Sequence, residues 1–137
     1  MPSVAVDSSV LYALFDQADK GHSRASAFLT RASQKLIANL PVLTEVVYLL
    51  DFSQVSQRAF LNFAQEALTI DQQTATDLPR IVEIMAKYAD LPADFADASL
   101  VALCERQRIT QIATFDKDFD IYRLADGKQL ANVMEMR

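Results

Sequence analysis

Soft metal ligands are almost absent from this sequence. Its single cysteine, Cys104, excludes an intramolecular disulfide, and its single histidine, His22, has no cysteine or second histidine at ligand spacing. His22 is therefore left to packing or capping rather than to zinc or general-base chemistry. Cys104 sits among alanines and leucines as a core residue and fits a reducing cytoplasm. Two glycines, Gly21 and Gly127, and four prolines leave little room for long loops. No apolar run approaches the roughly 20 residues of a membrane span. No basic segment followed by an apolar stretch opens the chain, so neither a membrane span nor a signal peptide is expected. Positive charge is also in deficit, with 13 Lys and Arg against 18 Asp and Glu and a net charge of −5. A module that binds nucleic acid by bulk electrostatics is normally basic, so this balance counts against one. It counts less against a metal-dependent nuclease, in which part of the acid excess is a cation site.

What is present is an ordinary globular profile, 51% hydrophobic and 23% charged over 137 residues, which predicts one domain (1–137) with a real core. Val4-Ala5-Val6 reads as a buried strand, Ser8-Ser9 as a polar turn, and Val10 to Phe15 as a helix capped by a serine. Residues 22–32 read as a helix, 35–38 as a strand, and 41–50 as a helix opened by Pro41. Two amphipathic helices follow at 54–67 and 72–88, with a short strand at 68–70 between them. Pro92 stops the element before it. Residues 94–105 form a helix, 112–114 a strand, 116–120 a loop, and 130–134 a terminal edge strand. Short β segments alternating with longer α segments predict an α/β fold with a mainly parallel sheet flanked by helices.

The stretch from Asp94 to Glu105 organises the rest. Asp94 and Asp97 project the same way from its first turn. Beyond them, Ala98 to Cys104 leave almost no polar face, the pattern of a buried helix. Capping and the helix dipole account for many such acid pairs, so neutralisation by a cation needs further support. Glu45 supplies some, as a lone charge in the run Val42 to Leu50, where a buried carboxylate needs a partner unless it lies on a narrow solvent-facing strip. Asp7 and Asp116 each follow a strand, and Asp7 alone could be merely a helix start.

In a parallel sheet, strand ends and the following helix starts share one edge, so Asp7, Glu45, Asp97 and Asp116 are expected to converge. Gathered carboxylates repel and raise one another's pKa values unless a cation intervenes. Oxygen ligands without His or Cys favour Mg²⁺, with Mn²⁺ as a substitute, over Zn²⁺. Such an ion lowers the pKa of water and braces the attacking and leaving oxygens of a phosphodiester.

Val4 to Leu11, Leu43-Thr44-Glu45-Val46, Asp94 to Ala102 and Thr114 to Phe119 resemble, in order, the motifs of the PIN-domain family, and in particular its VapC-like ribonuclease toxins. The likeness runs from Val4 to about Tyr122. It implies a PIN-like α/β/α sandwich, a Mg²⁺-dependent endoribonuclease acting on RNA, a homodimer, and inhibition by a cognate antitoxin protein. Carried over, Asp7 and Asp97 are the principal metal ligands, Glu45 completes the site directly or through water, and Asp116 is the fourth acid, with Asp118 an alternative. Asp94 is an auxiliary acid or a cap. Thr114 orients a carboxylate or the attacking water, or simply ends its strand. Toxins of this type carry a positive rim for RNA, and here only Lys20, Arg24, Lys117 and Arg123 fall on loops at the metal side.

Two other classes compete. One is a PIN-like binding module that keeps its acids without turnover, favoured by the acidic charge. The other is a phosphatase or phospho-acceptor receiver, disfavoured because Asp7-Ser8-Ser9 lacks a second acid two residues on and no lysine follows a late strand. Tyr48, Phe52, Phe60 and Phe63 either complete the core or form an association patch.

Overall fold

Val4, Ala5 and Val6 are all buried although successive side chains in a strand point to opposite faces, so both faces of that strand must be covered. The computed structural model, which describes residues 2–91 and 93–135, places this strand, β1 (Ser3–Val6), at the centre of a five-stranded sheet. The others are β2 (Lys35–Asn39), β3 (Thr69–Asp71), β4 (Gln111–Ala113) and β5 (Ala131–Asn132). They run in the order β3-β2-β1-β4-β5, and every pairing is parallel. Ala5 faces Ile37 on one side and Ile112 on the other.

Among the described residues six helices make the connections: α1 (Ser8–Leu14), α2 (His22–Arg31), α3 (Leu40–Leu49), α4 (Gln54–Ala67), α5 (Leu78–Lys87) and α6 (Phe95–Gln107). Because β2 lies on one side of β1 and β4 on the other, the strand order reverses at β1. A crevice outside the carboxyl end of β1 follows from that reversal. The helix α6 is buried at every position from Ala96 to Cys104 and has almost no polar side. His22 Nδ1 lies 2.7 Å from the Ala13 carbonyl oxygen, tying the start of α2 to α1.

Several local expectations change. Asp7, not a serine, caps α1, since its carboxylate accepts from the Ser9 N–H. Residues 72–77 are not helical. The Asp71 carboxylate accepts from the Gln73 N–H at 3.1 Å and from Arg106 at 2.7 Å, which fixes a turn. The helix starts only at Leu78, with Pro79 in its first turn. Residues 117–120 close into a 3₁₀ turn, and the terminal strand is only Ala131–Asn132 before a second 3₁₀ turn at Val133–Glu135. The stop expected at Pro92 lies outside the described residues. Of the four patch candidates, Phe60 is buried and Phe63 is half-buried, both edge-on to Phe15. Tyr48 and Phe52 are 71% and 62% exposed.

Candidate metal centre

The ladder continues one residue past β1, where the Asp7 N–H donates to the Ala113 carbonyl at 3.0 Å. This holds Asp7 in the crevice, 3% exposed. Its Oδ2 accepts from the hydroxyls of Ser9 and Thr114, each at 2.8 Å. Both hydroxyl oxygens accept backbone N–H bonds in turn, Ser9 from Phe115 and Thr114 from Asp116, each at 2.9 Å. A residue at the start of α1 and one just past β4 are thus locked onto the same carboxylate oxygen. Burial raises the Asp7 pKa, and the Asp116 charge adds to the rise, against the hydrogen bonds from Thr114, Ser9 and Ser8.

Glu45 arrives on α3, whose start is fixed by Asn39. The Asn39 side chain accepts from the Val42 N–H at 3.1 Å and donates to Ser99 at 3.1 Å, tying β2 to α6. Ser8 donates its hydroxyl to Glu45 Oε1, and the same hydroxyl lies 3.5 Å from Asp7 Oδ1. Half-burial pushes the Glu45 pKa up to about 7 despite the Ser8 bond, with Asp94 and Asp7 contributing repulsion.

Asp97 stands in the first turn of α6. Its own N–H donates to the exposed Asp94 carboxylate at 2.8 Å, so Asp94 caps the helix while its charge bears on Glu45 and Asp97. The Tyr122 hydroxyl donates to Asp97 Oδ2 at 3.1 Å. That ring meets Phe119 and Tyr88 edge-on, each at 5.1 Å. Burial first, then the charges of Asp7, Asp94 and Asp116, push the Asp97 pKa up to about 8.

One carboxylate oxygen each from Asp7, Glu45 and Asp97 lies within 4.8 Å of the other two. No Lys or Arg among the described residues forms an ion pair with any of them. Every buried side-chain N or O among the described residues nonetheless has a hydrogen-bond partner. What this trio lacks is positive charge, and an all-oxygen donor set of this kind suits a hard divalent cation.

Asp116 stands outside that spacing but near enough to raise Asp7 and Asp97. Its carboxylate caps the turn after β4 by accepting from the Asp118 N–H at 2.9 Å. Burial and the Asp116 charge raise Asp118 in turn. Lys20, Arg24 and Lys117 line one cavity together with Asp116. Arg123 does not join them, because its guanidinium donates to the carbonyls of Asp120, Ile121 and Tyr122. In the sequence Ser8 and Ser9 read as a polar turn and a helix cap, and their bonds to Glu45 and Asp7 were missed, although hydroxyls directly after Asp7 are a usable signal. Tyr122 carried no signal, because its approach to Asp97 depends on the tertiary fold.

A family model described as "PIN domain" matches residues 4–125. Ribonuclease VapC26 of Mycobacterium tuberculosis is 29% identical over 116 residues, covering 82% of this chain and 85% of that protein. Among solved structures, VapC20 of Mycobacterium tuberculosis, described as a Sarcin-Ricin loop cleaving toxin, superposes with a TM-score of 0.80 at 21% identity. The match covers 86% of this chain and 93% of that one. VapBC2 from Rickettsia felis, bound to a DNA fragment from its promoter, gives 0.63 at 11% identity, covering 87% and 92%.

Proposed function

The chain belongs to the PIN-domain family, and from that premise we propose that it is a single-domain, Mg²⁺-dependent endoribonuclease of the cytoplasm, the toxin of a toxin–antitoxin pair. The observation that carries this reading is the trio of carboxylates within 4.8 Å with which no Lys or Arg among the described residues forms an ion pair. Asp7 and Asp97 would hold the ion, and Glu45 would contribute directly or through water. When bound, Mg²⁺ supplies Lewis acidity toward a phosphodiester and makes water acidic enough to attack it.

The chain's own residues do the rest. Ser9 and Thr114 fix the rotamer of Asp7, Ser8 spaces Glu45 from Asp7, and Tyr122 aims Asp97. Asp116 stands at the mouth as a fourth acid, with Asp94 and Asp118 as auxiliary charges and Lys20, Arg24 and Lys117 on the RNA side. An antitoxin partner is supported by the resemblance to the VapBC2 complex. An apolar groove where Leu40, Tyr48 and Phe95 flank Glu45 and Asp94 supports it too. The exposed Tyr48 and Phe52 suit a homodimer or that partner.

The test is cleavage of a mixed RNA pool in Mg²⁺ or Mn²⁺, after any co-purifying antitoxin has been stripped. Wild type cuts, whereas Asp7→Asn and Asp97→Asn do not. Unchanged cleavage by either variant rejects the role. The net charge of −5 favours a second reading, a PIN-like binding module without turnover. A wild type that binds Mn²⁺ but leaves every RNA intact selects it.

A further inference from the structure

The edge strand β5 is only two residues long. Its ladder with β4 ends where Ile112 stands opposite Asn132, and the chain then leaves in the 3₁₀ turn Val133–Glu135. The side chain of Asn132 takes over where that pairing stops. Its Oδ1 accepts from the Thr114 N–H at 3.3 Å and from the Met134 N–H at 3.1 Å. Its Nδ2 donates to the Thr114 carbonyl at 3.0 Å. One side-chain amide thus holds both backbone groups of a residue 18 positions away and ties them to the turn after β5.

Thr114 stands directly behind the carboxylate trio. It is buried, and its hydroxyl donates to Asp7 Oδ2 at 2.8 Å. The peptide unit that joins it to Phe115 is gripped from both edges. Asn132 donates to the carbonyl of that unit at 3.0 Å, and its N–H donates to the Ser9 hydroxyl at 2.9 Å. Ser9 is the other hydroxyl on Asp7 Oδ2. Both hydroxyls that fix Asp7 therefore meet at one peptide plane, whose opposite edge Asn132 sets. Arg24 secures the turn after β5, donating to the Met134 carbonyl at 2.8 Å while its guanidinium lies 5.1 Å from the centroid of the Phe115 ring. A peptide plane free to rock would let both hydroxyls drift from Asp7, and a metal ligand with loose outer partners binds its ion less tightly.

We propose that Asn132 is a positioning residue for the metal centre, holding Asp7 in place through the Thr114–Phe115 peptide and the hydroxyls of Thr114 and Ser9. The inference rests on the metal reading above and adds to it a part for the edge strand: docking of residues 131–135 and tight binding of the ion favour one another. That reciprocity follows from linkage, since whatever the docked segment adds to the ion's affinity, the ion returns to the docked segment.

The experiment is calorimetric titration of the full chain with Mn²⁺, in wild type, Asn132→Ala, Thr114→Val and the double variant. Thr114→Val is expected to lose about tenfold in affinity, as an outer-shell partner of a ligand does. Asn132→Ala is expected to lose several-fold, and the double variant to fall well short of the product of the two losses, because both reach Asp7 by one route. Arg106→Met, which unties Asp71 and Asp77 away from the trio, is the control for instability: its melting temperature falls and its Mn²⁺ affinity does not. In wild type, saturating Mn²⁺ should slow amide exchange across 131–135 by about the factor that Asn132→Ala loses, and leave the Gln73 N–H, held by Asp71, unchanged. That measurement decides the matter even if Asn132→Ala fails to fold. Wild-type affinity in Asn132→Ala, losses that multiply in full, or exchange across 131–135 that ignores Mn²⁺ overturns this inference alone. A wild type that binds no Mn²⁺ overturns the metal reading and this inference with it. Coupled losses of affinity in a chain that never cuts RNA leave the inference standing without the nuclease.

Discussion

The Tyr122 hydroxyl and Asp97 Oδ2 are joined across 3.1 Å, and the ring behind that hydroxyl is wedged between Phe119 and Tyr88. The bond pulls the Asp97 pKa down against burial and three neighbouring charges. It therefore favours the ionised form that a cation needs.

Tyr122→Phe keeps the ring and removes the bond. Affinity for Mn²⁺ at neutral pH should fall about tenfold, as when an outer-shell partner of a ligand is lost. The melting temperature without metal should barely move. Calorimetric titration with Mn²⁺ checks this, and unchanged affinity would show that Asp97 is aimed by something else.

Asp7→Asn removes a buried charge while keeping a side chain that can cap α1. The variant without metal should be at least as stable as wild type, because one of three mutually repelling groups is gone. Its Mn²⁺ affinity should drop by more than about 100-fold, beyond what an outer-shell loss costs. Thermal melts with and without Mn²⁺ read both effects together.

The raised acids set a pH trend. Asp97 and Glu45, near 8 and 7 in the fold, start from ordinary values of 3.8 and 4.5. The folded chain therefore keeps protons that the unfolded chain has already lost. Their contribution to stability is complete below the ordinary values and disappears as pH rises through 7 to 8. Melting temperature without metal should fall over that span. Mn²⁺ should restore it increasingly toward higher pH, releasing protons as it binds. A metal-free melting temperature that climbs from pH 5 to pH 8, about the working range, would count against buried, proton-sharing acids.

Arg106 forms a clamp away from the trio, donating to Asp71 and Asp77 at 2.7–3.1 Å. Arg106→Met leaves two buried carboxylates unpaired. It should cost about 3 kcal/mol, or about 10 °C in melting temperature. Mn²⁺ affinity should stay at the wild-type value, which separates this framework role from the metal centre.

Alternation of short and long apolar segments made the parallel α/β sheet legible, and Val4-Ala5-Val6 with its following aspartate made the crevice residue visible. The wholly apolar run after Asp97 marked α6 as buried, and Glu45 stood out as a charge with nothing local to explain it. Other features depend on partners distant in sequence. Residues 72–77 have helix-compatible composition, yet Asp71 and Asp77 are both taken by Arg106, and helical pairing loses to that clamp. Phe60 and Phe63 share an amphipathic helix with exposed residues, and both meet Phe15, a ring distant in sequence, edge-on. Arg123 looked like a rim cation because its loop is on the correct side. Three carbonyls hold it instead.

The sheet order has a consequence for synthesis. Asp7 and Thr114 are 107 positions apart, and β1 gains its second neighbour only when β4 joins it. On a ribosome, Asp7, Glu45 and Asp97 are all made before β4, so the three acids have no finished scaffold until that strand has joined β1. A chain cut off before β4 lacks that geometry, however many of the acids it already carries.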